Sequence, residues 1–63
     1  MTAYEIVEDL DEHTVNITYV ACNTLAIAKR RATQIAINRL NDIYIYVDGY
    51  IVAKKTDGVW KNY

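Results

Sequence analysis

The chain has very few of the residues that usually carry out catalysis or hold metal ions. It contains no serine, one histidine (His13) and one cysteine (Cys22), and a predicted strand separates the last two. A serine nucleophile with a histidine base is therefore excluded, and one His with one Cys cannot supply four zinc ligands. The acidic residues Asp9, Asp11 and Glu12 lack the central glycine of a calcium-binding loop. We expect no enzymatic activity, no catalytic residue, no metal and no cofactor.

Cysteine, glycine and proline are scarce, and each shortage limits what the chain can be. A lone cysteine cannot form an internal disulfide, which favours a reducing, intracellular setting. The only two glycines, Gly49 and Gly58, fall in predicted turns, so no loop is left to cradle a phosphate. The chain has no proline and begins with methionine, and we expect a whole small gene product, with a trimmed chain as the alternative.

Long apolar segments are also missing. No run approaches the ~20 residues needed to cross a bilayer, and the first residues lack the basic and apolar parts of a signal peptide. The length of 63 residues predicts one domain over residues 1–63. A hydrophobic content of 52%, with six tyrosines, indicates a folded chain. We therefore expect a monomer without membrane contact, although a dimer through an exposed edge strand stays open.

Charge is unevenly placed along the chain. Five of the eight acidic residues lie within the first twelve positions, and all seven basic residues follow residue 28. The net charge of −1 and the pI near 5.6 argue against a general nucleic-acid binder, for which a basic domain is expected. A chain with two oppositely charged parts suits a charged protein surface as its partner.

Hydrophobic periodicity predicts an α+β fold in the order β-β-α-β-β-β, a five-stranded antiparallel sheet with one helix packed on one face. Asn23 or Thr24 is expected to cap the helix, and Asp48-Gly49 is typical of a two-residue type I′ hairpin. The predicted elements are strands over Ala3–Glu8, Thr14–Ala21 and Ile43–Val47, a helix over Thr24–Leu40, and two further strands after Gly49 and Gly58.

The strand alternation also predicts which side chains face the core. The second strand alternates as a half-buried strand does, with one side formed by Val15, Ile17 and Tyr19 and the other by Asn16 and Thr18. The predicted core face of the next hairpin comprises Ile43, Ile45, Val47, Tyr50 and Val52. The predicted outward residues are Tyr44 and Tyr46, near Ile51 and Ala53.

The position of Trp60 depends on the turn at Asp57-Gly58. A two-residue turn would place Trp60 on the outer face, whereas a three-residue loop would place it beside Val52 on the core face. We expect the second register, because it buries the largest apolar side chain of the chain.

The helix carries the main candidate binding residues. Its apolar stripe is predicted to comprise Leu25, Ala28, Ala32, Ile35 and Ala36. The opposite side comprises Arg30, Arg31, Gln34 and Asn38, with Ile27 among them and Ile37 at the edge. Interfaces combine apolar anchors with arginine, so the predicted partner-binding residues are Lys29, Arg30, Arg31, Gln34 and Ile27. The alternative for Ile27 is an isolated exposed apolar side chain, which is common.

Part of the chain resembles a family of phage anti-CRISPR proteins. The resemblance rests on Thr24-Leu25-x-x-Ala28-Lys29-Arg30-x-Ala32, on two apolar strands joined by a turn, and on Lys54-x-x-Asp57-Gly58 before Trp60. It covers roughly residues 20 to 60. Members of that family have a single helix on five strands and inhibit the type I-F CRISPR surveillance complex, an RNA-guided nucleoprotein.

The resemblance implies a function and a place of action. The protein would dock on the backbone subunits of a type I surveillance complex in the host bacterial cytoplasm and stop target DNA from pairing with the guide RNA. DNA held by that complex is a possible additional contact. The family's Lys-Arg pair corresponds to Lys29 and Arg30, and its later Lys and Gln correspond to Gln34 and Ala36. We expect Lys29→Glu with Arg30→Glu to abolish inhibition.

Two other functions stay open from the sequence. A small nucleic-acid-binding or regulatory module could use the basic helix together with the outward residues Tyr44 and Tyr46, by stacking and phosphate contacts. Neutralisation of a toxin or another host factor is a further alternative. Salt-sensitive binding to free DNA or RNA would distinguish the nucleic-acid module from a protein-directed inhibitor.

Overall fold

The computed structural model describes all residues 1–63 and confirms the α+β fold. The order along the chain is β-β-α-β-β-β, and the sheet order is β2-β1-β3-β4-β5 with antiparallel pairing throughout. The elements are β1 (Thr2–Asp11), β2 (Thr14–Cys22), α1 (Leu25–Ile35), β3 (Ile43–Val47), β4 (Tyr50–Thr56) and β5 (Val59–Asn62).

The first hairpin is longer than the periodicity predicts. The first strand extends to Asp11, so the predicted loop from Asp9 to His13 is wrong except for its last two residues. Asp9 pairs with Val15, and its backbone N–H donates to the Asp42 carbonyl at 2.9 Å. The Asp11 carboxylate accepts the His13 N–H at 2.9 Å, which closes the turn and lowers the pKa of Asp11.

The helix is shorter than predicted, since it ends at Ile35 and not at Leu40. Ala36 leaves helical geometry with ψ 134°, and the next backbone N–H groups, those of Ile37 and Asn38, donate to the Glu8 carboxylate. This tertiary contact supplies acceptors that a continued helix would otherwise provide. A residue of the first strand therefore fixes where the helix stops.

The core lies between the helix and one face of the sheet, which we call the helix-covered face. Its centre is formed by the fully buried side chains of Ala28, Ala32, Ile43, Ile45 and Ala53. The two helical alanines lie four residues apart on one side of the helix, and their small size allows the helix to lie close to the strands. The other side of the sheet carries no helix, and we call it the open face.

A β-bulge in β4 corrects the predicted core of the last hairpins. The register shifts between Ile45 and Tyr46, so that Ile45 pairs with Ala53 and Tyr46 pairs with Ile51. Ala53, predicted to face outward, is therefore buried, and Val52 packs against the core beside it. The prediction of Tyr50 as a core residue is wrong, because its side chain is 77% exposed.

Trp60 reaches the core side by a different register from the expected one. Asp57 and Gly58 both have positive φ and form a two-residue turn in which Thr56 pairs with Val59. The bulge has already shifted Lys55 to the helix-covered face, and Trp60 pairs with Lys55 on that same face. The predicted side is thus correct, and the predicted three-residue loop is wrong.

Candidate partner-binding surface

The start of α1 is fixed by its cap and positions the basic residues that follow. The Thr24 hydroxyl oxygen accepts the Ile27 N–H at 3.2 Å, and the Thr24 carbonyl accepts the Ala28 N–H at 3.1 Å. Cys22, buried as predicted, donates its thiol to that same carbonyl at 3.4 Å. These contacts fix the start of the helix and thereby the positions of Lys29 and Arg30, which begin its second turn.

Arg30, Arg31 and Gln34 form the exposed side of the helix, which we call the basic helix surface. All three side chains are exposed, because Ala28 and Ala32 face the sheet from the other side of the helix. A guanidinium group offers five donors in a fixed planar arrangement that fits carboxylates in a two-point contact. The basic helix surface can therefore bind acidic or mixed protein surfaces, as the sequence pattern predicts.

Lys29 lies at the side of the helix next to β5 and contacts residues of the fold itself. Its ammonium group donates to the side-chain oxygen of Asn62 and lies 5.8 Å from the centre of the Trp60 ring. The side chain is half-buried. Lys29 thus joins the helix to the last strand, a role that the sequence pattern does not reveal because Trp60 and Asn62 are 31 and 33 positions away.

Ile27 differs from the prediction that places it among the exposed cations. It is half-buried and packs against the core, so it supports the helix from the side. Ile35, predicted on the packed stripe, is 42% exposed instead. Together with Ile37 and Leu40, which are also exposed, it supplies apolar side chains at the end of the helix that carries the basic surface.

The segment after the helix is held by Glu8. The buried Glu8 carboxylate accepts the N–H groups of Ile37 at 2.9 Å and Asn38 at 3.0 Å, and the Asn41 side-chain amide at 2.9 Å. Burial by itself raises the pKa of Glu8, but the donors of Asn38, Ile37 and Asn41 outweigh it and the pKa is lowered. Glu8 is therefore an internal acceptor and is not available to an external basic group.

Tyr44 and Tyr46 face outward as predicted, on the open face. Their neighbours Ile43 and Ile45 are fully buried beneath the helix, and successive side chains of a strand point to opposite sides. The basic helix surface and the two tyrosines consequently lie on opposite sides of the sheet. A single flat ligand cannot contact both at once.

The structure offers no enclosed site for a small molecule. No pocket is present, and no three His, Cys, Asp or Glu side chains come together in a way that could hold a metal ion. No helix has the length and apolar character that crossing a membrane requires. What the surface does offer is the basic helix surface on one side of the sheet and the open face on the other.

Comparisons with models of protein families, with curated proteins and with solved structures found no match for this chain.

Proposed function

We propose that the protein is a phage anti-CRISPR inhibitor that binds the backbone subunits of a type I CRISPR surveillance complex and blocks pairing of target DNA with the guide RNA. The proposal rests on the resemblance of residues 20–60 to the inhibitors of the type I-F complex. The observation that supports it best is the exposed basic helix surface of Arg30, Arg31 and Gln34 on a fold without any pocket. Such a protein acts by covering a surface.

The candidate residues have different surroundings, and we assign them different roles in the proposed function. Arg30 and Arg31, exposed on the helix, are placed to make the direct contacts, with Gln34 one turn further along. Lys29 contributes positive charge at the helix edge while it holds Trp60 and Asn62. Ile27 packs against the core and supports the helix from the side. Of these, Arg30 and Arg31 are the residues whose charge can be changed with the least effect on the fold.

The charge pattern suits a nucleic-acid-handling protein as the partner. The nucleic-acid-binding surface of such a partner is rich in Lys and Arg but also has acidic and polar rims. Arg30 and Arg31 can bind to these rims. Asp11 and Glu12 are exposed in the β1–β2 turn region and can lie near basic groups of the same partner. Rim charges of this kind act mainly on the association rate.

A nucleic-acid-binding module is the second candidate, and one observation favours it. The Lys54 ammonium lies 5.1 Å from the centre of the Tyr44 ring on the open face, and this neighbour raises the pKa of Lys54. A cation beside an outward tyrosine can serve as a stacking position for a base. The basic helix lies on the other side of the sheet, so this module would use the open face alone.

The first test is inhibition of target-DNA binding by a purified type I-F surveillance complex. We expect Arg30→Glu with Arg31→Glu to weaken inhibition by about tenfold or more, with a larger effect at low salt. This pair separates binding from folding better than Lys29→Glu with Arg30→Glu, because Lys29 also contacts Trp60 and Asn62.

The matched control is the charge reversal Arg39→Glu, which is compared with the single variant Arg30→Glu because both change the net charge equally. The Arg39 side chain is exposed and lies outside α1, so this control leaves the basic helix surface unchanged. Circular dichroism checks that both variants are folded. Full inhibition by the folded Arg30/Arg31 variant would exclude this surface, and absence of inhibition by the wild type would exclude the proposed target.

A further inference from the structure

The first part of β2 has its apolar and polar sides reversed relative to the position of the helix. The side chains of Val15, Ile17 and Tyr19 lie on the open face, where Ile17 is 48% and Tyr19 71% exposed. The polar side chains Asn16 and Thr18 lie on the same side as the helix, and only the end of the strand adds apolar side chains to the core there. A strand facing solvent on one side normally shows its polar residues there. This part of β2 therefore presents apolar side chains on a face that no element of the fold covers.

The apolar surface continues across the centre of the sheet. Val7 is the neighbour of Ile17 on one side and of Tyr44 on the other, so these three side chains form one row. Tyr46 and Ile51 form a second pair on the same face. Contiguous apolar patches of this kind are uncommon on monomers and mark interaction sites.

Charges on the open face are arranged in two separate strips. The acidic strip is on β1, where Glu5 and Asp9 lie on either side of Val7. The basic strip is on β4 and β5, where Lys54 and Lys61 are direct cross-strand neighbours. The central strand β3, with its two tyrosines, separates the acidic strip from the basic strip.

We infer that the open face binds a second copy of this chain in a face-to-face dimer. In the strand order β2-β1-β3-β4-β5, a two-fold axis along β3 places β1 of one copy over β4 of the other. Lys54 shares a row with Val7, so the Lys54 of each copy comes between Glu5 and Asp9 of the other. The acidic strip of each protomer therefore meets Lys54 of its partner.

The same axis brings the remaining exposed apolar residues together. It places β2 over β5 of the partner, so that Val15 lies over Val59 and Tyr19 over Tyr63, which are also exposed. The aliphatic part of Lys61 lies over Ile17, because both residues share the row of Val7 and Lys54. With Cα extents of 31 × 21 × 20 Å, two such faces bury about 1,200 Å² in total, at the lower end for specific interfaces.

The dimer explains the open face better than a nucleic acid does. A phosphate backbone lying over Tyr44 would also approach Glu5 and Asp9, which repel it. The inference replaces the expectation of a monomer and does not depend on the proposed function. In the dimer, the two basic helix surfaces point away from each other and are free to bind two subunits of a repetitive partner.

Sedimentation of the purified protein from about 1 to 100 µM tests the inference. We expect the wild type to shift from the 7.3 kDa chain to twice that mass. Ile17→Lys should weaken association by about tenfold or more. Ile37→Lys is the matched control, since it makes the same change at an exposed isoleucine outside the open face and should leave association unchanged.

Charge exchange tests the pairing of the two strips. Lys54→Glu alone and Glu5→Lys with Asp9→Lys alone should each weaken the dimer, whereas an equimolar mixture of the two variants should form a heterodimer. A wild type that stays monomeric throughout overturns the inference. A dimer whose affinity is unchanged by Ile17→Lys and by the charge changes also overturns it, since that result indicates edge pairing through β2. A monomer that binds a nucleic acid on the open face overturns it as well.

Discussion

Both faces of the sheet carry regularly spaced apolar side chains, but their surroundings are very different. On the helix-covered face, Ile43 and Ile45 are fully enclosed, and Ala28 and Ala32 let the helix approach them closely. On the open face, Ile17 and Tyr19 remain exposed although they alternate as regularly as the core residues do. One helix can cover only one face, so the apolar content of the other face is available for association.

The largest expected effect comes from truncating a fully buried side chain of the helix-covered face. Ile45→Ala should lower the free energy of unfolding by about 2–5 kcal/mol, because it removes a fully buried side chain and leaves a cavity. A domain of this size has a stability of roughly 3–5 kcal/mol, so much of the variant should be unfolded. Urea unfolding measures the change.

The paired control for Ile45→Ala is Ile17→Ala, measured at a concentration low enough to keep the chain monomeric. Ile17 is about half exposed, and its truncation should change the free energy of unfolding by about 0.5 kcal/mol or less. Equal losses for the two variants would contradict the distinction between the two faces.

Glu8 gives the next largest effect and also a pH dependence. Glu8→Gln should cost about 1–3 kcal/mol at neutral pH, because an amide cannot accept from the Ile37 and Asn38 N–H groups with both of its polar atoms. Folding lowers the Glu8 pKa, so its stabilisation is present above the ordinary value of 4.5 and is lost as pH falls through the lower pKa of the folded state.

Thermal unfolding as a function of pH checks the role of Glu8. The wild type should lose stability on acidification below its ordinary pKa, and the Glu8→Gln variant should lose less over that same range. A variant with the same acid dependence as the wild type would show that other carboxylates account for it. Glu12→Gln, at an exposed position in the first hairpin, is the control.

The smallest effect concerns the contact between the helix and the last strand. Lys29→Met keeps most of the side-chain packing against Trp60 but removes the ammonium group, and should cost about 0.5–1 kcal/mol. A fluorescence change of Trp60 would report the altered surroundings. A variant as stable as the wild type would mean that Lys29 is free to act as a partner contact only.

The parts of the fold that local chemistry determines could be predicted from the sequence. Asp48 and Gly49 both adopt positive φ, and the I′ hairpin they form holds Val47 opposite Tyr50 as the pair predicts. Thr24 caps the helix through its own hydroxyl. In each case the deciding contact lies within a few residues, and the residue type alone limits the backbone.

The wrong predictions, of the helix end and of the side on which Ala53 lies, have causes that are distant in the sequence. The helix ends early because Glu8, 29 positions before Ile37, accepts the N–H groups there. The bulge that buries Ala53 follows from pairing with β3 and changes the side of every later residue in that strand. Neither contact is visible in a local pattern.

The candidate binding residues likewise include some whose position follows from the local pattern and one whose contacts depend on distant residues. Exposure of Arg30, Arg31 and Gln34 follows from helical periodicity and was predictable. The attachment of Lys29 to Asn62 and Trp60 was not, because it depends on the position of the last strand in the sheet.

The most direct test of the central claim is a pull-down of the tagged protein from a bacterial lysate that contains a type I-F surveillance complex, with nuclease treatment. The account predicts that the complex stays bound after nuclease treatment and is lost with the folded Arg30→Glu, Arg31→Glu variant. Recovery of nucleic acid alone, removed by the nuclease, would contradict it and favour the nucleic-acid-binding module.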